Sequence, residues 1–227
     1  MTTTATQPEA GAVLQYTEAA LAHDLVFDEE PHTYTLDGQR VMIPCTSVVG
    51  AVDRVREVEP PDFKPIHSAL GRAMHKAIEL DILGELDWDT VDERIVPKVK
   101  AARGFREWEG FLPAMIQHPE GHLVPALEVF VWTPEGGAGT IDAIGWHEGA
   151  LTIYDWKSSY VGGAGIQTGG YKRMVRFMFG VDVPRRMAVR HLPDETFQPI
   201  LLDDPMDERR YAAGLFLMAD AQRLERR

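Results

Sequence analysis

The chain has 227 residues, 44% hydrophobic and 26% charged, with a formal net charge of −12 at pH 7. That is the composition and size of one globular domain with a substantial core, and no apolar run approaches the roughly 20 residues that span a bilayer. The single cysteine, Cys45, excludes a disulfide framework and a four-cysteine iron–sulfur cluster. The opening MTTTATQPEAGAV lacks the basic start and apolar centre of a signal peptide, so the cytoplasm is the expected location.

The acidity is uneven. Residues 1–39 hold seven acids and no Lys or Arg, and residues 193–227 hold eight acids against five bases, which leaves 40–192 at −2. Within that middle, Lys172, Arg173, Arg176, Arg185, Arg186 and Arg190 face Asp182 alone in residues 168–192. This local basic stretch reads either as a solvated face or as a contact for DNA phosphates, whose neutralisation supplies much of nucleic-acid affinity.

Residues 1–11, rich in Thr with Pro8 and Gly11, read as a disordered tail, and 12–227 as a single domain. Val13 to His23 fits a short helix. Phe27 to Met42 reads as a hairpin, with Thr33 to Leu36 and Arg40 to Ile43 joined at Asp37-Gly38 and ended by Pro44. Thr46 or Ser47 is expected to cap a helix over Val48 to Val55. A Pro-rich connection, Glu57 to Pro65, leads to a helix from Ser68 to about Leu83, striped by Leu70, Met74, Ile78 and Ile82 and stopped at Gly84. His75 lies beside that stripe, and on the residues alone it is a core histidine. Glu79, one turn on, either orients the imidazole or joins an ordinary surface pair. Gly71 would let this helix approach a neighbouring backbone. A second helix is expected over Thr90 to Leu112, started afresh at Pro97, with Lys98, Lys100, Arg103 and Arg106 solvated and Val99, Phe105, Trp108 and Phe111 in the core. Met115 to His122 reads as loop.

The core strands follow. Glu128 shares a strand face with Phe130 and Trp132, an odd place for a carboxylate unless it is paired or binds metal; the alternative is an edge glutamate facing water. Pro134 to Gly139 turns the chain into the next strand. Two apolar runs then flank Glu148-Gly149. If these form a two-residue turn, His147 faces Ala150 and Asp142 falls opposite Asp155, with Lys157 on the same face. A slip of one residue would move Asp142 to the other face. Two carboxylates so close need a proton or a cation between them, and hard oxygen ligands suit Mg²⁺ or Mn²⁺. A lysine beside the metal could hold or deprotonate an attacking water, or neutralise charge building on a phosphate. The bland alternative is an edge hairpin with a cross-strand salt bridge.

Val161 to Gly170 has five glycines but no G-x-x-x-x-G-K-[ST], so it is read as a mobile connection and not as a phosphate loop. It leads into a helix from about Ile166 to Phe179 with Gln167 and Tyr171 on one face. Two further strands, Arg185 to Leu192 and Phe197 to Asp203, extend the sheet. A last helix, Asp207 to Arg227, carries Tyr211, Leu215, Leu217 and Met218 as its apolar stripe.

The succession G-R-A-M-H (Gly71 to His75), G-T-I-D (ending at Asp142), I-Y-D-W-K-S-S (with Asp155 and Lys157) and Q-x-x-x-Y (Gln167, Tyr171) resembles the PD-(D/E)xK nuclease superfamily. Within it the chain is most similar to the RecB-like and Cas4-like exonucleases of bacteriophage type. The stretch H-T-Y-T-L-D-G followed by I-P-C-T-S-V-V resembles the opening segment of phage members, so the likeness runs from about residue 32 to 171. The second acid is Asp155 where many relatives carry Glu. The resemblance implies an α/β fold with a restriction-endonuclease-like core, a central mixed sheet flanked by helices. It implies Mg²⁺- or Mn²⁺-dependent DNA hydrolysis giving 5′-phosphate products, most simply as an exonuclease, without the iron–sulfur cluster of many Cas4-like relatives. By the same likeness His75, Glu128, Asp142, Asp155 and the Trp156 carbonyl are metal ligands. Lys157 acts on the water, and Gln167 and Tyr171 position the substrate or nucleophile. The expected partner is DNA, with a phage single-strand annealing protein as a further one and no membrane; the oligomeric state is open. An endonuclease or nickase on the same fold, and a non-catalytic DNA-binding module derived from it, are the alternatives.

Overall fold

The computed structural model describes residues 11–28, 33–38, 40–56, 65–158 and 161–225. The tail expected over residues 1–10 and most of the Pro-rich connection before residue 65 lie outside them. In chain order the elements are β1 (Val13–Gln15), α1 (Glu18–Leu21), β2 (Leu25–Asp28), β3 (Thr33–Leu36), β4 (Arg40–Val41), β5 (Ile43–Pro44), α2 (Cys45–Val55) and α3 (Pro65–Leu83). A single 3-10 turn, Trp88–Thr90, precedes α4 (Val96–Glu109). Then come β6 (Leu112–Pro113), β7 (Met115–Gln117), β8 (Leu123–Pro125), β9 (Leu127–Trp132), β10 (Gly137–His147), β11 (Ala150–Lys157), α5 (Ala164–Phe179), β12 (Arg185–His191), β13 (Phe197–Leu201) and α6 (Asp207–Glu225).

The fold is mixed α/β, with a large mixed sheet flanked by helices, as expected. The sheet runs β13-β12-β11-β10-β5, and β6 and β9 also pair with β10. β11 and β12 are parallel, as are β10 and β5, while β10 is antiparallel to both β9 and β11. Alternation along β11 divides two cores: Leu151 and Ile153 pack with α2, α5 and α6 residues, and Tyr154 and Trp156 pack with α3 and α4 residues. His147 faces Ala150 across a Glu148-Gly149 turn in which both residues have positive φ, so the hairpin register is the expected one.

β10 changes partners in mid-strand. Residues 138–141 pair with β9 and residues 143–147 with β11, leaving Asp142 at the handover. Small residues permit the packing around it. A Cβ on Gly139 would lie 2.7 Å from the Tyr171 ring, so β10 is bare where α5 crosses it.

Several local expectations give way to longer-range pairing. Val13–Gln15 forms a parallel ladder with β7 instead of opening a helix, and only the short α1 follows, capped by the Thr17 hydroxyl accepting from Ala20 N. The hairpin of β3 and β4 gains β2 as a third strand, while Ile43–Pro44 leaves it for β10. Pro44, extended in that ladder, is therefore the N-cap of α2, and neither Thr46 nor Ser47 caps it. The expected Thr90–Leu112 helix starts only at Val96, after the 3-10 turn, and ends at Gly110 in a left-handed conformation. Met115 to His122 is a loop only from His118, because Met115–Gln117 is the centre of the small sheet β1-β7-β8. Trp108 is 64% exposed and Leu217 54% exposed, so neither belongs to the core.

The glycine-rich stretch is no loop. α5 already begins at Ala164, behind Gly163 in a left-handed conformation, and its glycines form the face on which α6 lies. A Cβ on Gly169 would meet the Asp207 backbone at 2.9 Å, and one on Gly170 would meet the Tyr211 ring at 2.5 Å. Tyr211 is fully buried, with its hydroxyl 3.5 Å from the Cys45 thiol, so it has no room to retreat. Gly170→Ala should therefore cost about 1–3 kcal/mol as overpacking, read as a lower urea midpoint at unchanged slope. A variant as stable as the wild type would mean that the α5–α6 contact yields freely.

Candidate active site

The sheet opens at Asp142. Its carboxylate accepts a hydrogen bond from the Trp156 amide (2.6 Å) and stands 3.3 Å from His75 Nδ1. The other imidazole nitrogen, Nε2, lies 2.9 Å from the Trp156 carbonyl. Both polar atoms of one β11 peptide unit region are thus taken by side chains from β10 and α3. His75 has both ring nitrogens beside polar partners and is not a histidine packed on an apolar face. Glu79 pairs with Lys76 at 2.6 Å, an ordinary surface pair that leaves the imidazole alone.

Glu128 completes a three-residue cluster. One ligand atom each from His75, Glu128 and Asp142 lies within 4.8 Å of the others. Strand alternation misplaces this glutamate. Its φ of 46° takes it off the pleat, and beyond it Phe130 is 43% exposed while Trp132 is 3% exposed, so the three do not share one environment. A left-handed non-glycine residue costs about 1–3 kcal/mol and persists only where the surroundings fix it.

Asp155 is placed differently from the expectation of two converging carboxylates. It stays outside that 4.8 Å group and its Oδ2 lies 2.9 Å from Lys157 Nζ. Lys157 also donates to Gln167 Oε1 (3.2 Å), and Gln167 Nε2 donates to the Tyr171 hydroxyl (2.8 Å). Asp155, Lys157, Gln167 and Tyr171 therefore form one continuous polar path beside the cluster.

The electrostatics reflect crowded acids without enough countercharge. Burial pushes Glu128 up to about 8, and Asp142 adds to this. Burial and then Asp142 push Asp155 up to about 6 against the pull of Lys157. Burial alone would lower His75, but Asp142 outweighs it and holds the imidazole up at about 9. Burial works against the Lys157 ammonium too, and Asp155 and Asp142 more than restore it, so its pKa ends above the ordinary value.

His75, Glu128, Asp142, Gln167 and Tyr171 line a cleft of about 470 Å³. Sequence reasoning missed four of its walls: Phe27 and Tyr34, stacked at 4.6 Å, and Arg72 and Lys76 on α3. The last two flank His75 in G-R-A-M-H-K, and that spacing was the available signal. Gly71 also lines the cleft, and a Cβ there meets nothing within 4 Å among the described residues, so it serves no close helix approach. The basic stretch after the site is largely consumed internally. Lys172 and Arg176 pair with Asp182 and Glu208, Arg173 with Glu135, Arg185 with Glu148, and Arg186 with Asp207. It is not a free DNA-binding face. On α4, Arg103 and Arg106 both pair with Asp81.

No family profile and no curated protein matches the chain. Two solved structures are similar in outline. One is the protein designated SSO0001, at 17% identity and TM-score 0.34, covering 88% of this chain and 81% of that one. The other is an alkaline exonuclease, LHK-Exo, from Laribacter hongkongensis, at 13% identity and TM-score 0.36, covering 82% and 92%. Similarity of this degree assigns neither fold nor function, which rest on the geometry above. Among the described residues no helix is long and apolar enough to cross a membrane.

The pairing of Asp155 with Lys157 makes a stability prediction independent of activity. Removing one member of a buried pair costs about 3–5 kcal/mol when the other stays charged. Asp155 escapes part of this by taking a proton, so Lys157→Met should cost about 1–3 kcal/mol at pH 7. The double variant Asp155→Asn/Lys157→Met should lose less than the sum of the singles. Additive losses in urea unfolding with chelator present would show the two side chains uncoupled.

Proposed function

We propose that the chain hydrolyses DNA phosphodiesters as an Mg²⁺- or Mn²⁺-dependent exonuclease on a restriction-endonuclease-like core of the PD-(D/E)xK type. The observation that carries this reading is one cleft lined by the His75–Glu128–Asp142 cluster and by Gln167 and Tyr171, the end of a polar path that leads back to the buried Asp155–Lys157 pair. A plain salt bridge in an edge hairpin would need neither the histidine from α3 nor the glutamate held at a positive φ.

The residues fit a divalent cation. One imidazole nitrogen and two carboxylates converge, and both Glu128 and Asp155 are pushed up, by burial and by the neighbouring Asp142. His75 stands between Asp142 and the Trp156 carbonyl, and to ligate a cation there it would give up its imidazolium proton. His75, Glu128 and Asp142 would hold the ion; the sequence resemblance adds Asp155 and the Trp156 carbonyl, which stand beside them facing Lys157 and His75. When bound, such a cation polarises a phosphoryl oxygen and acidifies coordinated water.

The protein's own groups do the positioning. Asp155 and Gln167 hold the Lys157 ammonium from two sides, so it presents charge in a fixed direction to a phosphoryl oxygen or an attacking water. Tyr171 anchors Gln167 and is itself seated by the bare backbone at Gly139. Arg72 and Lys76, at the cleft wall, are placed to meet flanking phosphates. The sequence resemblance further implies 5′-phosphate products and DNA processing beside a phage single-strand annealing protein, in the cytoplasm of a bacterial host.

The test is degradation of end-labelled linear DNA and covalently closed circles with Mg²⁺ or Mn²⁺. Wild type should consume the linear DNA alone, and Lys157→Ala should be slower by at least ~10²-fold, the scale of one positioned catalytic group. Cutting of circles would make it an endonuclease, and DNA binding without cleavage by either metal would make it a non-catalytic module. As the two cations on the cleft wall, Arg72 and Lys76 should each, on replacement by Ala, weaken DNA binding and flatten its salt slope by about 1. Unchanged slopes would place the phosphates elsewhere.

A further inference from the structure

We propose a second metal site, selective for Zn²⁺ over Mg²⁺, at the tip of the β7–β8 hairpin and held by His118, Glu120 and His122. One ligand atom from each lies within 4.8 Å of the others. These residues belong to none of the machinery described above, and the proposal does not depend on the chain being a nuclease.

The turn builds the convergence. His118 N donates to the His122 carbonyl (2.8 Å) and Gly121 N donates to the His118 carbonyl (2.9 Å), closing a loop of which the two histidines are the posts. Gly121 adopts a φ of 95°, a conformation that disfavours a side chain and turns the backbone back on itself. The imidazoles then lie face to face, with centroids 4.5 Å apart and planes 26° from parallel. Glu120, between them in sequence, places a carboxylate oxygen 3.8 Å from His118 Nδ1. The Glu120 amide also donates to that nitrogen at 3.3 Å, a long bond that a metal would displace at little cost.

The donor set decides the ion. Two imidazole nitrogens and one carboxylate suit Zn²⁺, which accepts three protein ligands and leaves a fourth position to water. Mg²⁺ demands oxygen ligands and keeps its own waters, so millimolar Mg²⁺ would not compete. The consequence is structural. The clamp would fix the hairpin whose first strand carries β1, and His118 also borders a second concavity with His23, Asp24, Asp37 and Trp132.

The test is Zn²⁺ titration of the full chain by calorimetry in excess Mg²⁺, for wild type, His118→Ala, His122→Ala, Glu120→Gln and Asp142→Asn. Metal-free variants are first compared with wild type by circular dichroism and melting temperature, which the three hairpin-tip substitutions should leave unchanged, Asp142 being buried and serving only as the control for the other site. Loss of either imidazole should weaken one binding event at least ~10-fold, since removing even an outer partner of a ligand costs that much. Asp142→Asn should leave the same event intact. As a second readout, Co²⁺ should give a tetrahedral visible spectrum that the double variant His118→Ala/His122→Ala loses. Unaltered Zn²⁺ stoichiometry and affinity in that double variant, or a Co²⁺ spectrum lost only in Asp142→Asn, would overturn the site.

Discussion

The structure depends on where β10 lets go of one neighbour and takes the next. Asp142 sits at that handover, and its carboxylate occupies the Trp156 amide at 2.6 Å. His75, 3.3 Å from that carboxylate, meanwhile reaches the Trp156 carbonyl from α3. A continuous ladder would leave no room for chemistry between its strands, and a plain gap would leave buried backbone groups unpaired, at about 1–3 kcal/mol each. Side chains from β10 and α3 fill the gap instead. The site is thus a defect in the sheet whose polar groups are satisfied by the same residues that are available to a cation or substrate.

Charge is allotted with similar economy. A chain at −12 has few positive groups to spare, and most of those after the hairpin hold helices and strands together. Arg186 illustrates the use: buried, it donates to the Gly165 and Asp204 carbonyls and pairs with Asp207, tying the start of α5 to the start of α6. Such a cation cannot also meet a phosphate. What faces the cleft comes from α3, the helix that also delivers His75, so a single element sets both the ligand and the charge around it.

What was legible in the sequence follows from the range of the interactions. The β10–β11 hairpin could be read because a two-residue turn fixes register locally and strand alternation then fixes the face, which brought Asp142, Asp155 and Lys157 to one place. The short strands β1, β5 and β7 could not, because their ladders join residues about 100 positions apart and their own composition says little. Glu128 was singled out as an oddly placed carboxylate, but its shared face with Phe130 and Trp132 failed because alternation assumes an unbroken pleat. The glycines of α5 looked like a loop since their reason, the approach of Tyr211 and Asp207, lies 40 residues further on. The basic stretch stayed open between a solvated face and a DNA contact for the same cause, its acids lying mostly in other elements.

The division of the acids between two tasks explains the rest of the site. Had Asp155 joined Glu128 and Asp142, three buried carboxylates would have shared one space with a single histidine to balance them. Turning Asp155 toward Lys157 removes one negative charge from that sum and gives the lysine a reason to stay charged where burial would neutralise it. The lysine in turn needs a second hold to keep its direction, which Gln167 supplies, and Gln167 needs Tyr171 to fix its amide. Tyr171 can lie there only because residue 139 has no side chain. The orientation of one ammonium group thus traces back, through three contacts, to a glycine on the strand that carries Asp142.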